Sequence, residues 1–230
     1  MSTFDLPRRF AAEAMGTGLL VATVVGSGIM AETLTHDTAL ALLANTLATG
    51  AMLVVLITIL GPISGAHFNP AVSVVLWLNR ALPARELPAY LIAQLIGGVA
   101  GTIAAHLMFA LPLLEVATKL RAGPAQWFSE AVATFGLIAV ILAGVRFERR
   151  AVPWLVGLYI TAAYWFTAST SFANPAVAVA RSLTNTFSGI RPADLPGFIA
   201  AEFVGALVAL VLMGWLLRPA IIQRSLETQP

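Results

Sequence analysis

Six stretches of the chain, residues 10–30, 39–60, 87–109, 127–145, 152–168 and 197–217, are apolar almost throughout and carry at most one charge each. About 20 such residues suffice to cross a bilayer as a helix, so each reads as a membrane span. Two further apolar pieces, 70–78 and 175–183, are too short to cross. The first follows the turn-rich run from Gly61 to Asn69 and the second follows Ser169–Asn174. Both open on Asn-Pro, at Asn69-Pro70 and Asn174-Pro175. Asparagine caps a helix, and proline at the first helical position gives up no needed donor. Each short piece is therefore predicted to be a half-helix entered from a loop.

The pattern repeats within the chain. Glu13-Ala-Met-Gly-Thr17 parallels Glu130-Ala-Val-Ala-Thr134, Asn69-Pro70-Ala71-Val72 parallels Asn174-Pro175-Ala176-Val177, and Gln94-Leu-Ile-Gly97 parallels Glu202-Phe-Val-Gly205. These pairs lie 117, 105 and 108 positions apart, as expected for one duplicated unit with drift in loop length. The chain thus reads as a single membrane domain, 1–230, with repeats over about 1–115 and 127–230. Three spans per repeat is an odd number, so the second copy lies upside down. Inverted repeats with broken helices place the functional site at the midplane, where they meet.

Composition agrees: 59% of residues are hydrophobic and only 10% charged, whereas about 25% charged is ordinary for a soluble domain. Charge mainly reports topology. Arg8, Arg9, Arg80, Arg85, Arg146, Arg149, Arg150, Arg218 and Arg224 fall on one side of the spans; Lys119, Arg121, Arg181 and Arg191 fall on the other. The richer side is cytoplasmic by the positive-inside rule, which puts both termini inside a plasma (cell inner) membrane. No basic tract interleaves with aromatics, so no nucleic-acid partner is expected. The chain has no cysteine, which excludes disulfides and thiolate metal sites. No His/Asp/Glu ligand spacing, cofactor loop or nucleophile–base set appears, so neither a metal, nor a cofactor, nor an enzymatic activity is predicted.

Irregular backbone survives at membrane depth only where it is buried in protein or lines a wet cavity. Two inverted re-entrant loops therefore imply a shared aqueous path, with the half-helix N-termini pointing at one another. Each terminus carries roughly +0.5 of a charge equivalent. Their meeting point is a barrier to cations and not to uncharged molecules. The amides of Asn69 and Asn174 are placed to donate to a passing oxygen.

Ser64-Gly65-Ala66-His67-Phe68-Asn69-Pro70-Ala71-Val72, with its second Asn-Pro-Ala and the Glu-x-x-Gly-Thr opening, is similar to the signature of aquaporins and aquaglyceroporins, the major intrinsic protein family. The resemblance covers essentially the whole chain. It implies an all-α, six-helix fold with two re-entrant half-helices, and homotetramers in membrane lipid with one pore per subunit. It also implies passive conduction of water, glycerol or similar neutral solutes. In the family, the carbonyls of the stretch matching Gly65, Ala66, His67 and Phe68 form an acceptor ladder. The residues matching Glu13 and Glu130 brace the loops; as membrane-embedded carboxylates they also admit a proton-relay reading. Gln94 and Glu202 are expected to pack helices or brace loops. For His67, a pore-lining role and a gating role both stand.

The chain departs from the family at the outer constriction. The second motif is usually followed by Arg; here the residue is Val177. Counted by offset, the other filter positions fall on Thr49, Ala162 and Ser171. A ring of these four has no aromatic wall and no fixed charge, which predicts a wide filter open to glycerol, urea or metalloid hydroxides such as arsenous acid. A strict water channel and a proton-coupled transporter using Glu13 and Glu130 are the competing functions. Arg181, four residues beyond Val177, lies on the same helical face. It either supplies a displaced positive charge to the outer mouth or is an interfacial Arg snorkelling into loop backbone.

Overall fold

The computed structural model describes residues 4–218; Arg224, counted above on the inner side, lies outside them. The described residues form eight α-helices: α1 (Leu6–Leu34), α2 (Thr38–Ser64), α3 (Pro70–Leu78), α4 (Leu87–Met108), α5 (Pro124–Phe147), α6 (Val152–Phe166), α7 (Pro175–Arg181) and α8 (Leu195–Leu216). Five of them, α1, α2, α4, α5 and α8, have the length and hydropathy of a full span. α6 has 15 residues and continues a three-residue 3-10 turn, Arg149–Ala151. At 1.5 Å and about 2 Å per residue the two cover roughly 28 Å, close to the hydrocarbon thickness of about 30 Å. The helices α3 and α7 are the expected half-helices.

Several boundaries differ from the sequence reading, two of them for a plain physical reason. α2 runs on through Pro62 to Ser64 and ends where Gly65, at φ 92°, turns back to donate to the Gly61 carbonyl. A proline in a last turn removes one donor without ending the helix. α7 stops at Arg181, two residues short of Leu183. The carbonyls of Ser182 and Leu183 instead accept from Ala117 and Glu115 of the α4–α5 loop, at 3.0 and 2.9 Å.

The bundle buries an apolar core that also encloses ionisable and polar side chains, and it turns large apolar side chains outward as well. Glu13, Gln94, Glu130 and Glu202 are completely buried, whereas Leu47, Ile59, Ile96, Leu158 and Val211 face outward. Helix pairing follows the duplication: α1 packs on α4, α5 on α8, and α2 on α6 across the repeats. Each contact is made close by glycine. A β-carbon on Gly97 would sit 2.1 Å from the Ala14 carbonyl oxygen, and one on Gly205 would sit 2.0 Å from that of Ala131. Ala14 and Ala131, like Gly97 and Gly205, are equivalent positions of the two repeats. Where α2 meets α6, a β-carbon on Gly157 would lie 2.7 Å from the Gly50 oxygen.

Backbone cannot yield to a new side chain as a rotamer can, so Gly97→Val or Gly205→Val must separate two helices. Overpacking of this kind costs about 1–3 kcal/mol or more. Either variant is expected to melt well below wild type in a detergent thermal-shift assay, while a change at Gly214, which meets nothing within 4 Å, leaves the melting temperature near its wild-type value.

Candidate functional site

Each half-helix begins in the same way. Asn69 is extended, and its Oδ1 accepts from the backbone N–H of Ala71 at 2.8 Å and Val72 at 3.4 Å. Asn174 does likewise for Ala176 and Val177 at 3.1 and 3.3 Å. With each carbonyl oxygen turned onto its own helix, each amide nitrogen reaches across to the other repeat. Asn69 Nδ2 donates to the Ala173 carbonyl at 2.7 Å, and Asn174 Nδ2 donates to the Phe68 carbonyl at 2.8 Å. The two N-termini therefore meet tip to tip. A side-chain amide carries two N–H bonds, so each asparagine keeps one beyond this crossing.

The loops leading into these caps share one conformation. Left-handed φ values occur at Gly65, Ala66 and Phe68, and again at Thr170, Ser171 and Ala173, each pair 105 positions apart. Such a backbone points successive N–H groups to one side, and a buried carboxyl receives them. Glu13 accepts from His67 N–H at 2.9 Å and Phe68 N–H at 2.7 Å, and also from the Ser64 hydroxyl at 2.6 Å and Gln94 Nε2 at 2.8 Å. Glu130 accepts from Phe172 N–H at 2.9 Å and Ala173 N–H at 2.7 Å. Glu202 takes the next amide, Asn174 N–H, at 2.9 Å. His67 stacks at 4.8 Å on Tyr90 and its Nδ1 lies 3.1 Å from the Ser73 hydroxyl.

A cavity of about 850 Å³ runs past both loops, from Arg149 and Arg150 at one mouth to Arg181 toward the other. Gly65 through Asn69 and Ser171 through Asn174 line it. Neither Glu13 nor Glu130 does, so the carboxyls stand behind the wall. Matching residues of the two repeats line it: Leu20 and Val24 with Leu137 and Ile141, and Val72 and Leu76 with Val177 and Arg181.

Three of the four offset-derived filter residues, Thr49, Ser171 and Val177, are buried and line the cavity. Ala162 does not. It is exposed on the outer face of α6, and the residue that lines the cavity there is Tyr164, whose hydroxyl lies 3.4 Å from Thr49 Oγ1. Two positions turn a helix by about 200°, so a miscount of two exchanges an outward residue for an inward one. Tyr164 thus joins Thr49, Ser171 and Val177 among the residues that line the cavity and adds an aromatic wall that the sequence reading left out. The Ser171 hydroxyl is buried and has no hydrogen-bond partner among the described residues.

Arg181 is only 2% exposed and lines the same cavity. Its guanidinium lies 3.4 Å above the Phe172 ring, and Nε donates to the Ser188 carbonyl. Arg121, which the sequence offered only as an outer-side charge, covers the same ring at 5.0 Å. It donates to the Gly189 and Ser169 carbonyls at 2.9 and 3.0 Å. Burial lowers the Arg121 guanidinium to about 10, with Glu130 and Tyr164 acting the other way, so it remains cationic at neutral pH. No group of three or more His, Asp or Glu side chains able to hold a metal occurs among the described residues.

The major intrinsic protein signature matches residues 1–162. Over their full lengths, the chain is 70% identical across 233 aligned residues to aquaglyceroporin AqpS of Rhizobium meliloti (strain 1021). It is 30% identical to the probable aquaporin AqpM of Archaeoglobus fulgidus, covering 93% of this chain and 97% of that one. In fold it is similar to the X-ray structure of the aquaglyceroporin from Plasmodium falciparum, with a TM-score of 0.69 at 22% identity over 90% of this chain and 95% of the other.

Glu13→Ala strands two backbone N–H groups, a hydroxyl and an amide in a dry interior. Each buried donor left unpaired costs about 1–3 kcal/mol. The variant is expected to lose most of its folded yield in size-exclusion chromatography. Glu13→Gln, which keeps one acceptor oxygen, should retain part of it.

Proposed function

The chain belongs to the major intrinsic protein family, a membrane channel for water and small neutral solutes, and from that premise we propose a broad pore of the aquaglyceroporin kind. The observation that carries this reading is the crossed pair of capped half-helices beside a continuous cavity. Their aligned N-termini set a positive potential where a permeant must pass, which opposes cations and admits neutral molecules. The spare N–H on each asparagine gives an uncharged oxygen somewhere to bond. The loop carbonyls of Gly65 through Phe68 supply acceptors for its hydrogens.

Breadth follows from the ring of Thr49, Tyr164, Ser171 and Val177. Valine in place of the usual Arg leaves one side short and uncharged, while Tyr164 offers an apolar face to carbon-bearing solutes. Glycerol, urea and metalloid hydroxides such as arsenous acid are the solutes this ring suits, and the name borne by the Rhizobium meliloti relative supports the first. Arg181 with Arg121 serves as an outer cation barrier, one turn beyond the place of the missing Arg. Glu13 and Glu130 act as loop braces, since their oxygens are occupied by backbone amides and do not line the cavity. The assembly is a homotetramer in the plasma membrane with both termini in the cytoplasm.

Stopped-flow swelling of proteoliposomes tests the breadth. Wild type should swell in glycerol, urea and arsenous acid as well as pass water, and Val177→Arg should suppress the three solutes more than it suppresses water. Rapid water flux with no solute swelling would refute the broad pore in favour of a strict water channel. Accumulation of solute against its gradient, driven by protons, would instead point to a coupled transporter. For the outer barrier, Arg181→Ala is expected to admit a sodium current that wild type lacks; an unchanged cation block removes Arg181 from that role.

A further inference from the structure

The two repeats brace their loops with different chemistry. In the first, the Gln94 amide donates from Nε2 to Glu13 Oε2 at 2.8 Å and to the Ser73 hydroxyl at 2.9 Å. Glu202 holds the equivalent place on α8, 108 positions on, and an ionised carboxylate has no hydrogen to give. Ser73 has become Ala178, so that partner is gone as well. Yet Glu202 shares one loop with Glu130, which accepts from the N–H groups of Phe172 and Ala173 while Glu202 accepts from the next, Asn174. Glu202 Oε1 is taken by Asn174 N–H, while Oε2 receives nothing from any N–H or O–H of the described residues.

Two carboxyls that accept from adjacent amides of one loop, both completely buried, cannot both be bare: like charges sharing a site disfavour double ionisation strongly. The other charged and titratable groups nearby do not remove the difficulty. Arg181 of α7 donates to Ser188 and leaves Nη1 without a partner among the described residues, and Arg121 of the α4–α5 loop donates to Gly189, Ser169 and Thr170; neither gives a hydrogen to Glu130 or Glu202. The ion pairs among the described residues involve neither Glu130 nor Glu202. Tyr159 of α6 donates to the Ala133 carbonyl, Asp194 before α8 is engaged by Arg191 and Arg121 N–H, and α3 carries no titratable side chain.

We propose that Glu202 is a positioning residue of the pore that enters the fold as a carboxylic acid, its Oε2–H donated to Glu130 where Gln94 donates to Glu13. The hydrogen joins two carboxyls that together hold three successive amides, 172 through 174, and so fixes Asn174 at the centre of the path. Its loss sets two negative charges against each other behind that loop. Folding therefore takes up a proton that the unfolded chain releases at neutral pH, and stability must fall as pH rises.

Three readouts test this; only the permeability readout rests on the conduction assigned above. Infrared spectra of wild-type protein at neutral pH should contain a protonated-carboxyl C=O band that shifts in heavy water and vanishes in Glu202→Gln. The melting temperature of wild type should fall with rising pH, and that slope should be lost in Glu202→Gln, where a neutral amide replaces the acid. Wild-type water permeability should decline on the alkaline side, and this decline too should be lost in Glu202→Gln. Absence of the band in wild type, or an unaltered pH dependence of melting or permeability in Glu202→Gln, overturns the proposal. Because the band is read on wild type, disproof does not require the variant to fold. Were the protein to conduct nothing, the functional reading would fail while the band and the melting slope still report on the proton.

Discussion

A chain can turn back inside hydrocarbon only if something accepts its backbone hydrogens, and here a buried carboxyl in each repeat does so. Left-handed residues cost about 1–3 kcal/mol each in such loops. Hydrogen bonds to a charged acceptor return about 1.5–3 kcal/mol apiece, enough to hold the strained geometry. The same backbone twist that sends N–H groups toward Glu13 or Glu130 exposes the opposite edge of each loop to the cavity. Bracing and solvating a permeant are thus two sides of one conformation. The crossed asparagine bonds then tie the repeats together, so neither loop is complete without the other.

Much of this was readable from the residues, because the constraints involved are local. Asn-Pro fixes a helix start, twenty apolar residues fix a span, and a lone glutamate in such a span demands a donor. Failures came where distance along the chain was used in place of position in space. Counting back from Asn174 selected Ala162, yet α6 ends at Phe166 and the loop after it has its own length. The cavity-facing stripe of α6 runs Val156, Ile160 and Tyr164, four apart, and following that stripe would have found the tyrosine. Arg121 offered no such signal: its loop has no periodicity, and only tertiary packing brings it over Phe172. The tolerance of α2 for Pro62 likewise depends on where the helix happens to stop.

The duplicated unit has kept its geometry while its chemistry drifted. His67 and Tyr90 of the first repeat correspond to Phe172 and Phe198 of the second, and both ring pairs persist, at 4.8 and 5.1 Å. A guanidinium covers one ring of each pair, Arg9 over Tyr90 and Arg121 over Phe172. These two arginines are not equivalent in sequence: one belongs to α1 and the other to a loop. The ring pairing persists at similar spacing, tilted by 48° in one repeat and edge-on at 69° in the other.

Both short helices open with an identical tetrapeptide, Asn-Pro-Ala-Val, and the inverted repeats relate the two openings by an approximate two-fold axis lying in the bilayer plane. A molecule arriving there from either face meets the same cap, the same amide and the same isopropyl group. No inward or outward preference can be encoded at such a point. Any rectification must originate at the two unlike mouths, with Arg149 and Arg150 at one and the Phe172 sandwich at the other, and the central passage itself is indifferent to direction.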